Sequence, residues 1–286
     1  MDALINVATV VFVVSSMLAM GLSLTPTAII EPLRSPRFVA VALGVNFVVV
    51  PLLAVGIQAV LGLDDPLYAG LLLIATAAGA PFLPKLAELA RADVARAVGL
   101  MVLLMITTVV YMPVVLPMLL PDVAIHPWDI ASSLLLLMLL PLAVGLFVRA
   151  KAERIADKAQ PVTARTSTVA IAVLVVVGLA AKWSNVVDLF GTGGLAAIAL
   201  FLVGALAVGY LAGGADPGAR AVSGLGTAQR NLSAALVVAA QNFGDTPDTL
   251  TFVIVAALVG LVALILTAHL IGRRSPPETS PGVPRA

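Results

Sequence analysis

Two basic side chains, Lys85 and Arg230, stand in stretches otherwise apolar enough to lie within a lipid bilayer. A cation at the centre of an isolated membrane helix costs about 2.5 to 3.5 kcal/mol, so such residues are expected beside water, a counter-charge or a bound anion. Each follows a stretch that interrupts a helix. Lys85 comes after Gly79-Ala80-Pro81-Phe82-Leu83-Pro84, where Pro81 and Pro84 remove backbone donors. Arg230 comes after Gly224-Leu225-Gly226-Thr227-Ala228-Gln229, which is polar for the middle of a membrane. A single break is readily explained as a kink, because Pro and Gly are commoner in membrane helices than in soluble ones. Two breaks at matching places, each carrying a cation, are the pattern of a midplane binding site in an inverted-repeat transporter.

The candidate pathway residues on this reading are Lys85, Glu88, Gln229, Arg230 and Asn231, with Pro81, Pro84, Gly224 and Gly226 as helix breakers. The chemistry expected of them is electrostatic. The two cations attract a small organic anion, and helix N-termini at the breaks add partial positive charge. Glu88, one turn beyond Lys85, is a natural partner for its amine, and the pair could exchange protons with water, whereas Arg230 stays charged. Glu88 can equally be read as an interfacial carboxylate balancing Lys85 and Arg91. No cofactor and no metal are expected. The chain has no cysteine, hence no disulfide, thiolate site or thiol nucleophile. His126 and His269 lie far apart and read as interfacial residues. Ser132, Ser133 and Ser233 have no base paired with them in sequence and are assigned to helix packing, which argues against a membrane enzyme. A purely structural scaffold would not require buried Lys85 and Arg230.

The elements that must hold these residues are membrane helices. Of 286 residues, 61% are hydrophobic and 11% charged, far from the composition of soluble domains. Apolar runs of about twenty residues, enough to cross roughly 30 Å of hydrocarbon, recur along the chain and exclude the alternating strands of an outer-membrane barrel. Nine crossings are expected: Ala3–Leu24, Phe38–Leu61, Leu67–Ala90, Val94–Leu120, Ile130–Val148, Thr166–Trp183, Gly194–Ala212, Ala221–Phe243 and Leu250–Ile271. The N-terminus lacks the basic region of a secretory signal and is read as a retained span.

Loop charge orients the bundle. Arg34, Arg37, Arg91, Arg96, Arg149, Lys151, Arg154, Lys158, Arg165, Arg220, Arg273, Arg274 and Arg285 fall in alternate loops and the tail, and account for all but three of the 16 Lys and Arg. The opposite loops hold only Lys182, beside Asp64, Asp65, Asp122, Asp129, Asp188, Asp245 and Asp248. The rule that basic loops stay cytoplasmic predicts the N-terminus outside and the C-terminus inside, in a bacterial plasma membrane. Trp128 and Trp183 sit at the expected outer span ends as interfacial anchors. Net charge of +1 gives no reason to expect nucleic acid. The hydrophilic stretch 149–165 is expected to be a cytoplasmic linker between a first repeat of four helices, 1–148, and a second of five, 166–272. A disordered cytoplasmic tail, 273–286, follows.

Several segments carry a resemblance. Met17-Leu18-Ala19-Met20-Gly21-Leu22-Ser23-Leu24, Asn46-Phe47-Val48-Val49-Val50-Pro51-Leu52-Leu53-Ala54, Leu89-Ala90-Arg91-Ala92-Asp93-Val94-Ala95 and Ala228-Gln229-Arg230-Asn231 resemble, in order and spacing, segments of the bile acid:sodium symporter family. The resemblance implies an inverted-repeat fold of panel and core domains, here without the family's first helix, with two broken, crossing core helices. It implies two sodium sites and adds Asn46 as a polar lining residue. At the first sodium site, the positions that carry Ser-Asn, hydroxyl and Glu ligands in the family are here Leu83 and Pro84, Ala97 and Met101, and Gly226. At the second, the family's Gln is Arg230. Hard cations need oxygen ligands, so sodium coupling as the family performs it is not expected. Lys85 and Arg230 are expected instead to act as tethered cations in an organic-anion carrier that is proton-coupled or works by uniport or exchange. Sodium symport through different ligands is the alternative. Arsenite efflux carriers, a related class, rely on a cysteine this chain lacks, while a distant relation to auxin-efflux-type carriers stays open.

Overall fold

A computed structural model of the chain describes residues 2–24, 34–121, 126–181, 187, 189, 191–243 and 246–274. Within them the regular elements are helices: α1 Asp2–Ser23, α2 Pro36–Leu61, α3 Asp65–Thr76, α4 Leu83–Leu89, α5 Val94–Leu119, α6 Pro127–Lys151, α7 Glu153–Ala181, α8 Gly194–Ala212, α9 Pro217–Ala228, α10 Leu232–Asn242 and α11 Pro247–Arg274. Seven contain stretches long and apolar enough to cross a membrane: α1, α2, α5, α6, α7, α8 and α11. The other two expected spans are not continuous. Each is a pair of half-helices, α3 with α4 and α9 with α10, so the described residues contain seven unbroken candidate spans where nine were expected.

The expected linker is also different. Apart from Ala152, residues 149–165 are helical, completing α6 and opening α7. Arg149 reaches Glu153 at 3.5 Å and also pairs with Asp157, so its charge is met by side chains on the next helix. Five of the expected spans precede residue 149, one more than a four-helix repeat over 1–148 allows. Arg273 and Arg274 belong to α11, and the rest of the expected tail, from 275, lies outside the described residues, as does Trp183. Trp128 is exposed on the first turn of α6.

Two helices carry one turn of π-helix, and both have the same cause. Proline lacks an N–H and collides with the carbonyl four residues earlier. Val45–Val49 precedes Pro51, whose collision falls on Phe47, and Leu135–Leu139 precedes Pro141, whose collision falls on Leu137. Widening the turn relieves the contact. In α2 the Phe47 carbonyl finds a substitute donor, the Tyr111 hydroxyl of α5 at 2.6 Å, and the two rings pack 4.7 Å apart. The same turn carries Asn46 into the interior, where it is 1% exposed.

The helices pack as one bundle. α1 lies against α6 and α7, while α3, α4, α5, α8, α9, α10 and α11 enclose one another and hold α2 along α3 and α8; α1 also touches α10, and α6 also touches α5 and α10. α1 and α6 cross at Gly21 and Gly145. A Cβ on Gly21 would fall 2.3 Å from the Leu142 carbonyl oxygen, and one on Gly145 2.6 Å from that of Leu18. Small residues permit this backbone approach, which is how helices gain packing energy where lipid supplies no hydrophobic drive. Gly21→Val is therefore expected to lower the unfolding midpoint of the detergent-solubilised protein. Gly44→Ala, where a Cβ meets open space within a helix, should raise stability by about 0.5 to 1 kcal/mol. Thermal unfolding of the two variants beside the parent checks both signs.

Candidate ion and substrate site

A helix that stops inside a membrane leaves carbonyls at one end and N–H groups at the other without partners, and lipid offers none. The first break spans residues 77–82 between α3 and α4, and the second is Gln229–Asn231 between α9 and α10. The two breaks satisfy each other. The Asn231 N–H donates to the Ala77 carbonyl at 2.8 Å, and its side-chain amide donates to the Gly79 carbonyl at 3.1 Å. The Asn231 side-chain oxygen caps α10 by accepting from the Ala234 N–H. From α5, the Thr108 hydroxyl accepts from the Ala78 N–H and donates to the Ala78 carbonyl, both at 2.9 Å. Gly79 has φ +82°, and a Cβ there would fall 2.2 Å from the Met105 nitrogen, so only glycine lets the break lie this close to α5.

Arg230 closes the arrangement. It is 9% exposed. Its Nε donates to the Ile74 carbonyl at 3.0 Å and its Nη2 to the Ala75 carbonyl at 2.7 Å, both in the last turn of α3. Its Nη1 donates to the Thr227 carbonyl at the end of α9, 3.0 Å away, and to Asn46 Oδ1 at 2.8 Å. Asn46 is held in turn, its amide nitrogen donating to the Ala42 carbonyl at 3.0 Å and to the Thr227 hydroxyl at 3.4 Å. Four of the five guanidinium N–H bonds are thus used on neutral oxygens. Two helix C-termini, the negative ends of their dipoles, converge on one fixed positive charge.

The other candidates divide. Asn46, Arg230 and Asn231 meet at the crossing. Gln229 adjoins it, in extended conformation at the end of α9. Lys85 does not join them: its side chain is 52% exposed and ion-paired with Glu88 at 2.8 Å. Of the expected breakers, Pro81 lies in the turn before α4 and Pro84 in the first turn of α4, where proline is tolerated. Gly224 and Gly226 do not break a helix. Both lie inside α9, where their lack of a side chain serves packing: a Cβ at Gly224 would press on the Leu206 carbonyl at 3.2 Å, and one at Gly226 on Leu100 and Leu83 at 2.8 and 2.9 Å. Thr108, Thr227 and Tyr111 were missed. Thr227 stood within the glycine-containing motif, but nothing local marks Thr108 or Tyr111, whose partners lie 30 and 64 residues away.

Two cavities flank the crossing. One of about 420 Å³ lies between α1 and α7 on one side and the breaks, α8 and α11 on the other; its lining includes Phe12, Ser167, Pro81, Gln229, Arg230 and Ser233. The other, of about 660 Å³, runs from Arg37, Asp93 and Arg96 down to Asn46 and Thr227. Arg230 borders the first, and its partners Asn46 and Thr227 border the second.

Residues 10–189 match the Sodium Bile acid symporter family. This chain belongs to that family. Its relatives include the probable sodium/metabolite cotransporter BASS3, chloroplastic, of Arabidopsis thaliana, 26% identical over 195 residues, a match covering 68% of this chain and 45% of the relative. The protein of the same name from Oryza sativa subsp. japonica is 25% identical over 283 residues, covering 93% of this chain and 66% of the relative. The chain thus spans about half to two thirds of the length of these curated relatives. It is an integral membrane protein of a transporter family, not of an enzyme family.

Replacing Arg230 by Leu strands three backbone carbonyls and the Asn46 amide oxygen in the interior. Each buried unpaired group costs about 1 to 3 kcal/mol before relaxation, so a net loss of about 3 to 5 kcal/mol is expected. Lys85→Ala, which removes an exposed pair, should cost under about 1 kcal/mol. Denaturant or thermal unfolding in detergent compares the two, and equal losses would contradict this assignment.

Proposed function

We propose that the protein is a secondary transporter of a small organic anion, working by alternating access, in which Arg230 occupies the place of a coupling sodium ion. The observation that carries this reading is the guanidinium at the meeting point of α3 and α9. In discontinuous transporter helices, half-helix C-termini and unwound carbonyls coordinate the coupling cation. Here the Ile74, Ala75 and Thr227 carbonyls have N–H donors instead. The positions that the resemblance assigns to the family's first ion site carry hydrocarbon: Leu83, Ala97 and Met101 are buried, and Leu83 packs over Gly226. Sodium is a hard cation and gains nothing from such a lining. Arg230 faces the 420 Å³ cavity with charge unbalanced by any of its four hydrogen-bond partners, which suits an anionic cargo.

The broken elements also support an inverted repeat. Placing the boundary in the segment between α5 and α6 leaves four spans before it and five after it, with α3–α4 and α9–α10 each next to last in its half. The group α1, α6 and α7 then forms the panel and the remaining helices the core. Rocking of panel against core would open the cavity alternately to the two sides. The distribution of Lys and Arg supports a cytoplasmic C-terminus. With Lys85 exposed and paired to Glu88, the tethered charge of this mechanism is Arg230 alone, in place of the two expected.

Family membership and the relatives' names favour a second reading, sodium-coupled symport of a metabolite through different ligands. The two separate in proteoliposomes: uptake of a labelled carboxylate should be the same with sodium or choline outside, and a steep sodium requirement would overturn the proposal. Arg230→Gln introduces the residue that the resemblance implies for the family at this position. It should become stabilised by sodium, by up to about 2.7 kcal/mol at a hundredfold excess over its dissociation constant, while the parent protein shows no such shift.

A further inference from the structure

We propose that Gln229 and Ser233 form the specificity anchor of the transported anion, and that the anchor takes a hydroxyl group carried next to the carboxylate. This rests on the anion-transport reading above. Among the described residues, the buried side-chain oxygens with no hydrogen-bond partner are Gln229 Oε1 and Ser233 Oγ. Their residues are 8% and 1% exposed, and both line the 420 Å³ cavity. Buried polar atoms are satisfied in nearly all proteins, so two orphans on residues that line one cavity point to a partner that arrives from it and meets them as their side chains turn toward it.

The helix break explains why the chain leaves them unpaired. Other buried hydroxyls find a carbonyl: Thr9 and Thr76 return to Ile5 and Leu72, four residues earlier in their own helices, and Thr108 and Thr249 reach Ala78 and Pro66 across the bundle. Ser233 is the second residue of α10, and four residues before it lies Gln229, which is extended and outside the helix. Its hydroxyl therefore has no carbonyl in register. Gln229, the first residue past the end of α9, has left the helix surface where a neighbouring side chain would meet it.

The two oxygens define the complement. Gln229 Oε1 only accepts, whereas the Ser233 hydroxyl donates as well. One alcohol on the cargo satisfies both, donating to Gln229 and accepting from Ser233. A carboxylate beside that alcohol lies toward Arg230, whose fifth N–H is free of the crossing contacts. The rest of the lining is mainly apolar, including Ile171, Phe201 and Phe252. It suits an aliphatic body and disfavours a second charge. The cargo class is therefore a 2-hydroxy monocarboxylate with a hydrocarbon chain.

The test uses the purified full chain in detergent and two matched probes, 2-hydroxy-4-methylpentanoate and 4-methylpentanoate, titrated by calorimetry. The wild-type protein should bind the hydroxy acid at least about tenfold more tightly, since a site built to pair a hydroxyl rejects the analogue lacking it. Ser233→Ala and Gln229→Leu should each bring the two affinities within about twofold. Equal affinities for the wild type would overturn the anchor while leaving anion transport standing, as would discrimination that persists in both variants. Binding of neither acid to the wild type would overturn the anchor and the monocarboxylate reading together.

Discussion

The structure turns on backbone groups that lipid cannot satisfy. Two helices stop inside the apolar bundle, and each stop orphans carbonyls whose burial without partners would be intolerable in hydrocarbon. The chain meets the demand by crossing the two stops. Asn231 and Thr108 stitch the loop of the first break, and Arg230 spreads four N–H bonds over the ends of α3 and α9 and the side chain of Asn46. The π turn in α2 that delivers Asn46, the glycine at 79 that lets the break press on α5, and Gly226 under Leu83 all contribute to holding this crossing closed.

A guanidinium suits this position for reasons an ammonium does not share. Its donors lie in one plane and point outward in several directions, so it can serve carbonyls from two helices at once, and it stays charged. A mobile ion in the same place would tie the crossing to ion concentration. A tethered one makes it permanent, and under the mechanism proposed above the conformational cycle would have one fewer ligand to bind and release. The charge also remains next to the cavity, where it would attract an anion if the proposed cargo is right, while most of its hydrogen-bonding capacity is engaged by the protein.

Much of this was legible in the sequence, and the failures have physical reasons. Apolar run length located the seven unbroken candidate spans, because the thickness of the bilayer imposes it. Arg230 was legible because a cation at membrane depth is costly enough to require a cause. Lys85 met the same criterion and did not belong, since a residue near the end of a short half-helix reaches the surface and pairs locally with Glu88. Gly224 and Gly226 were read as breakers, yet glycine within a membrane helix more often serves close packing, and the interruption falls three residues further on. The stretch 149–165 looked like a linker because its residues are polar, but a helix leaving a bilayer keeps its own hydrogen bonds in water. Ser233 looked like an ordinary packing serine, and the loss of its backbone partner emerges only once the break is placed.

The central claim, that Arg230 replaces the coupling ion, is tested most directly by equilibrium binding of radiolabelled sodium to the purified wild-type protein. The account predicts no saturable sodium site, with binding no greater than that of a heat-denatured control. Saturable binding of one or more sodium ions per chain would contradict it.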